Sequence, residues 1–414
     1  MEELIRDQIH SALEVEPPPA HLRAHVMASL PAANSRGAAP SLRLSGQWAA
    51  SLVAVFLALA IITGLLYVRG LLPFVPARPP IVPPVGLISP EGVAVAPDGS
   101  VFVSDFLGDR VFRMWPNGKV VLYAGGGSAG DGPATMAWLN HPVGLALDAA
   151  GGLYIADMTG GTIRHVDRRG IITTLLDGGR LLHVSGLAGV AVDASGGVWV
   201  SEFYAHGSVR RIDPFRVYLS IDASSLPPPA WLPGYLAFDS AGNLYVADRA
   251  PAVSDNPIYA QVPVGGGCRI VRVTPDSKLS VIAGTGVCGY SGDGGPAASA
   301  QLNDPGGIAF DSTGNLYFSD SNNHRIRRID RNGVITTVAG TGVAGYGGDR
   351  GPAEAAQLEY PYGMGMTSSG LLYFSDASCS CWSPSIPGRV RVFDLTTGTI
   401  RTAMDARTPI QNPA

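Results

Sequence analysis

The sequence predicts an all-β fold, a six-bladed β-propeller of four-stranded antiparallel blades, preceded by a single transmembrane helix and a short helical N-terminal tail. Three observations lead there. A pair of short apolar runs joined by a tight turn recurs six times between residues 88 and 405. The 414-residue chain carries 53 Gly and 33 Pro but only 15% charged residues, a balance suited to short strands and turns. Leu44–Val68 holds no Asp, Glu, Lys or Arg, and about 20 apolar residues suffice to span a bilayer as a helix. The formal net charge of -4 gives no basic face, so nucleic acid is not an expected partner.

Residues 1–43 read as a short helical cytosolic tail. Leu4, Ile5, Ile9 and Leu13 recur at helical spacing, and a second helix opens at Pro18 or Pro19 and closes at Pro31. This segment is too small for a core of its own. It is similar to the cytosolic start of bacterial membrane-bound anti-sigma regulators, although it has no zinc-ligand cysteine. Residues 44–69 form the expected transmembrane helix and the contact with lipid, with Trp48 and Tyr67 near its two interfaces. The 43 residues ahead of it, and the lack of a small-residue cleavage site after it, argue against a cleaved signal peptide.

Arg36 and Arg43 before the span, with Arg69 and Arg78 after it, leave the charge bias weak. The cysteines decide the orientation. Cys268, Cys288, Cys379 and Cys381 all follow the span, and cysteines pair in oxidising compartments. The expected topology is therefore a single-pass protein of the cell membrane, N-terminus cytoplasmic and propeller extracytoplasmic. Residues 70–87 are a proline-rich, semi-rigid stalk. Residues 88–405 form the propeller and 406–414 a C-terminal tail.

The best copy of the repeat is "DPGGIAFDSTGNLYFSD", Asp304–Asp320. "GGIAF" is a short apolar run suited to a buried strand, "STGN" is the turn, and "LYFSD" is the second strand. Each copy ends on an acid: Asp105, Asp157, Glu202, Asp248, Asp320 and Asp376. Nine residues ahead of it lie Ala96, Asp148, Asp193, Asp239, Asp311 and Thr367. Two weaker strands complete each unit; in the fifth they are "RIRRID" and "VITTVAG", joined by an Asn-Gly turn. Arg325 and Arg327 alternate with Ile326 and Ile329, as in a strand near the surface. The last unit has all its strands within the chain, so closure needs no exchanged strand, although "PIVPPVGLI" is an alternative partner for the last blade. Between units runs "AGTGVAGYGGDRGPAEAAQL", with near copies before the fifth and second blades. It reads as a linker with a helical turn opening at Pro352. It lacks the Gly-Lys-Ser/Thr ending of a phosphate loop.

The fifth unit, "DPGGIAFDSTGNLYFSDSNNHRIRRID", resembles the NHL repeat at nearly every position, and the likeness extends over residues 88–405. The linkers are similar to those of bacterial NHL proteins and of the teneurin NHL propeller. An anchor ahead of an NHL propeller also resembles the sensor half of certain bacterial receptor kinases, without a kinase domain here. The resemblance implies a binding, sensor or scaffolding module for a protein, peptide or glycan.

The six blade acids are expected to be structural, accepting hydrogen bonds from the turn after the second strand. Function should show as broken symmetry. At the axis, the residue after the Pro-like position is Glu91, Val143, Ala188, Gly234, Gly306 or Tyr362. No cofactor is expected under the binding reading. An alternative is a hydrolase or lyase, of the lactonase or amidating-lyase kind, with Ca²⁺ or Zn²⁺ on the axis. It would draw ligands from Glu91, His141, Asp304 and His183. A second alternative is a regulator signalling through the tail. Two long loops stand out, Arg249–Cys268 in blade four and Ala377–Gly388 in blade six. Arg249, Tyr259, Tyr362 and Trp382 are the candidate partner-binding residues. Cys268 and Cys288 are placed to staple the first loop, whereas a disulfide between Cys379 and Cys381 would be strained.

Overall fold

The computed structural model describes residues 86–177, 180–181, 186–202, 207–212, 219–221, 231–249, 267–377 and 388–411. The expected tail, transmembrane helix and most of the stalk lie outside these residues. No helix among the described residues is long and apolar enough to cross a membrane.

Six blade sheets, each built on four antiparallel strands, follow one another along the chain, with a two-stranded ribbon at Leu176–Asp177 and Arg180–Leu181 beside them. Blade 5 is representative: inner strand Pro305–Phe310, second strand Leu316–Asp320, third strand Arg325–Ile329 and outer strand Ile335–Ala339. The other inner strands are Pro90–Val95, Pro142–Leu147, Leu187–Val192, Pro233–Phe238 and Pro361–Met366. Each inner strand packs against those of the two neighbouring blades, and the sixth returns to the first. The four antiparallel strands of every blade are one contiguous stretch of chain, and a short C-terminal strand adds to blade 1.

Two segments reinforce the seam between blades 6 and 1. Ile410–Gln411, at the end of the expected tail, pairs in parallel with Val120–Val121 at the outside of blade 1. Residues 86–89 form no strand, yet Leu87 is fully buried beside Val390, Val392 and Met404 of blade 6. Gly388 donates its amide to the Ile88 carbonyl at 2.9 Å.

The core is not one cluster but six, one at each blade–blade seam. The seam of blades 5 and 6, for example, joins Ile326 and Ala339 to Leu372 and Phe374. Second strands are buried throughout, which is why "LYFSD" reads as a continuous apolar run.

The glycine-rich linkers belong to this construction. After each of them a short 3-10 turn, such as Ala353–Ala355, drops apolar side chains into the seam. Ala353, Ala356 and Leu358 are at most 1% exposed, as are Ala297, Ala300 and Leu302 in the preceding linker. Pro352 stands just ahead of the turn in an extended conformation, not at its first helical position. The linker tip also lies along the next blade's outer strand: Gly132–Pro133 pairs with Ile171–Ile172, and Pro352 bridges Thr399.

The linker acid completes the clamp. Asp131, Asp293 and Asp349 each reach a third-strand arginine of the blade that follows: Arg164, Arg327 and Arg391. The Arg391 guanidinium also donates to the carbonyls of Gln357 and Gly347 and lies 3.7 Å from Asp376. The expectation that Arg327 faces the surface is thus corrected. Its side chain is fully buried because it is the anchor onto which the linker folds.

Candidate functional site

The face on which inner strands begin and second strands end is called the top, and the face of the tight turns the bottom. On the top, each inner strand starts with a register shift. In blade 5 Pro305 pairs with Asp320, but Ile308 pairs with Phe318. All six blades repeat this β-bulge. A bulge re-aims a side chain, and here it turns the residue after the Pro-like position toward the axis. The glycine that follows allows close approach: a Cβ on Gly363 would lie 2.2 Å from the Glu91 carbonyl oxygen of the next blade.

The blade acids hold this bulge. Asp157, Asp248 and Asp320 accept amides of Asn140, Leu232 and Asn303, and Asp376 accepts those of Glu359 and Tyr360. Asp105 accepts from Ile88 and Ser89. Their partner is therefore the backbone leading into their own blade's inner strand, rather than the turn after the second strand. Each acid also faces a third-strand arginine, Asp105 with Arg110 and Asp248 with Arg269, both pairs being buried. Glu202, longer by one methylene, pairs with Arg210 and accepts from Ser208. Burial pushes Asp157 and Asp376 up to about 7, and Asp248 and Asp320 up to about 6, against the opposing pull of those amides and arginines.

Beside the acids runs a belt of serines. Ser104, Ser201, Ser319 and Ser375 donate to carbonyls of Val143, Gly234, Tyr362 and Glu91, each in the next blade. Ala156 and Ala247 occupy this place in blades 2 and 4.

The symmetry breaks between blades 4 and 6. Where other blades have Gly after the axial residue, blade 4 has Tyr235. The axial residues of blades 4 and 5 are Gly234 and Gly306, and their missing side chains make room. A Cβ on Gly234 would meet Arg249 at 2.6 Å, and one on Gly306 would meet the Tyr362 ring at 2.9 Å. Arg249 grips Asp304 with two hydrogen bonds of 3.0 and 3.1 Å, and its guanidinium lies 4.8 Å from the Tyr362 ring centre. Tyr235 meets Tyr362 edge-on at 5.0 Å, and Tyr360 stacks on Tyr362 while donating its hydroxyl to Asp304. Blade 4 thus touches blade 6 across the axis.

Burial, with Asp304, Glu91 and Tyr360 adding to it and Arg249 opposing, holds the Tyr362 phenol well above its usual value. Burial alone would lower Arg249, but Asp304 and the tyrosines more than offset this and raise it. The cluster therefore holds a fixed Arg249 cation against a neutral Tyr362 phenol. Arg249 remains 26% exposed, and Glu91 and Tyr360 are half-buried, so the polar edge of this floor reaches the top face.

The candidate metal set does not assemble. Among the described residues no three His, Cys, Asp or Glu side chains come together to hold an ion. Asp304 and His141 occupy equivalent positions on blades 5 and 2, opposite one another in the ring. Both precede a proline with φ near +60°. Asp304 is engaged by Arg249 and Tyr360. His141 bonds Thr159 at 2.9 Å and packs on Phe106. The Arg249 cation sits where an axial ion would need carboxylates, so these donors do not fit a divalent metal.

Cys268 and Cys288 are joined in a disulfide, tying the linker after blade 4 to that blade's third strand. Tyr259, Trp382, Cys379, Cys381 and His183 lie outside the described residues. Tyr235 and Tyr360 are not among the candidate residues that the sequence offers. Tyr235 had a visible signal, "PGY" in a place where the repeat wants a second glycine; Tyr360 had none. Four large apolar side chains stand exposed among the described residues: Trp138, Val287, Tyr290 and Val343, from 41% to 60%. All four belong to interblade linkers, which leave and rejoin the top face and run along the next blade's outer strand between.

A family model described as the teneurin NHL domain matches residues 125–189 and 180–345. The chain is 30% identical over 280 residues to Teneurin-4 of Mus musculus, covering 56% of this chain and 10% of that protein. It is 34% identical over 173 residues to Teneurin-3 of Danio rerio, covering 40% of this chain and 6% of that protein. The chain thus spans a tenth or less of the length of these relatives. Among solved structures, a structural genomics protein of unknown function from Bacteroides thetaiotaomicron superposes with a TM-score of 0.54 at 18% identity, over 70% of this chain and 67% of the other. An auxiliary nutrient binding protein from the same organism gives 0.53 at 15% identity, with the same coverage. These likenesses establish the fold alone.

Proposed function

The chain belongs to the teneurin NHL domain family, and on that premise we propose that it is an extracytoplasmic binding or scaffolding module held by the membrane helix at residues 44–69. Its top face engages a protein, peptide or glycan partner. One observation carries the reading. Every large apolar side chain exposed among the described residues lies in an interblade linker, and exposed aromatic and apolar anchors mark interaction surfaces. The Arg249, Tyr235, Tyr360 and Tyr362 cluster supports it by giving the top face a rigid floor with a charged edge. The Cys268–Cys288 disulfide favours an oxidising compartment.

Two measurements test this. Protease added to intact cells should digest the propeller, and a protected propeller refutes the topology. Peptide and glycan arrays probed with the full-length protein should give signals that Trp138→Asp and Val343→Asp remove. Both positions are exposed, so these variants are expected to fold. Signals indifferent to both substitutions refute the top face as the binding surface.

A further inference from the structure

The bottom face carries a second break in symmetry. In blades 2 to 5 the tight turn after the inner strand is capped by Asp148, Asp193, Asp239 and Asp311. One carboxylate oxygen accepts the turn amide, and the other accepts a side chain of the same blade. In blades 4 and 5 that oxygen accepts from the turn asparagine, Asn243 or Asn315, at 2.7 Å and also from a tyrosine of the second strand: Tyr245 donates to Asp239 at 3.2 Å and Tyr317 to Asp311 at 3.3 Å. Blades 1 and 6, neighbours in the ring, have Ala96 and Thr367 instead. The turns themselves survive. Asp98 accepts the Ser100 amide at 2.8 Å, and the Thr367 hydroxyl accepts that of Leu371 at 2.9 Å. What is missing is the carboxylate beside the tyrosine, which in blade 6 is Tyr373.

A cleft of about 310 Å³ opens there between the two blades, at the lower end of the range for small-ligand sites, about 300–1,000 Å³. Asp98, Thr367, Ser369, Tyr373 and Arg401 supply its polar groups, and Pro116 an apolar wall. Asp98 is half exposed and fixed by Arg113 at 2.8 Å, so it is an oriented acceptor. Thr367 and Ser369 form a hydroxyl pair at 2.9 Å. Arg401 is exposed. Acceptor, hydroxyls and a planar donor around one small space, with proline and a tyrosine ring to take an apolar edge, match a ligand that carries many hydroxyls on a compact ring. The Asp98 carboxylate disfavours a phosphate or other polyanion.

We propose that this cleft is a saccharide-binding site, distinct from the top face. The test uses full-length protein, kept in a detergent without a sugar headgroup, and a panel of neutral hexoses, N-acetylhexosamines and hexuronic acids. Saturation-transfer NMR reads binding. Thr367→Asp restores the carboxylate that blades 4 and 5 carry beside their tyrosines and should engage the Tyr373 hydroxyl and remove the Thr367–Ser369 hydroxyl pair without disturbing the repeat. Arg401→Ala removes an exposed donor. At least one panel member should bind the unaltered protein, and each variant should weaken it about tenfold or more, a shift of about 1.4 kcal/mol. Lys278→Ala, at an exposed turn of blade 4, should leave that binding unchanged. The proposal is overturned if no panel member binds at ~10 mM, beyond even millimolar affinity. It is equally overturned if binding persists undiminished in either variant.

Discussion

Ser375→Ala tests how the ring is closed. The Ser375 hydroxyl donates to the Glu91 carbonyl at 2.7 Å, across the seam between the last blade and the first. It works there beside the Ile410–Gln411 pairing with blade 1 and the Gly388–Ile88 hydrogen bond. Ser375 itself is fully buried. The substitution removes one oxygen and leaves the carbonyl without that donor. Losing one hydrogen bond to this half-buried carbonyl costs about 0.5–1.5 kcal/mol net, and the volume lost is small, so little cavity cost is added. At about 2 °C per kcal/mol in a large domain, Tm should fall by roughly 1–3 °C. Scanning calorimetry on the disulfide-intact protein measures it, with Ser312→Ala as control. Ser312 is exposed in the bottom-face turn of blade 5 and should stay within about 0.5 kcal/mol. If Ser375→Ala unfolds where the control does, the serine belt does not hold the seam and the reasoning fails.

Other outcomes follow from the same structure. Arg391→Leu leaves buried Asp376 without its cation and should cost about 3–5 kcal/mol in urea unfolding, as breaking a buried pair does; Asp349→Ala, at the half-exposed end of the same clamp, should cost less. The raised values of Asp157, Asp248, Asp320 and Asp376 mean that the folded protein keeps protons the unfolded chain releases above about pH 4. Stability from these groups is complete below that pH and is lost as pH rises through 6 to 7, so Tm should fall between pH 5 and pH 8; a rise over that window contradicts the assignment. Replacing both Cys268 and Cys288 with Ala frees a loop of sequence separation 20 and should cost about 3 kcal/mol, seen as a lower urea midpoint than the oxidised protein.

Much of this fold is legible in the sequence because a propeller repeats its instructions. Two-stranded copies in constant register place the inner and second strands, and "PxG" marks each bulge before its purpose is visible. The partners of the blade acids are less legible. They lie sixteen or seventeen residues upstream, an offset set by the bulge and the turn together. Arg327 shows the limit of alternation. Its pattern suits an exposed strand, yet the linker folds over it and supplies Asp293 and two carbonyls. The axial cluster was half legible. Arg249, Tyr362, Asp304 and Glu91 stand out as departures from the repeat, but the pattern could not say that arginine and aspartate would spend their charges on each other. His141 and Asp304 look like ligands in a linear list and lie on opposite blades in the ring.

The most direct test of the binding role is photocrosslinking in intact host cells. A photoreactive residue at position 343, exposed on the top face, is compared with one at 313, exposed on the bottom of blade 5. The account predicts a discrete adduct from 343 and none from 313. No adduct from 343, or the same adduct from both, would contradict it.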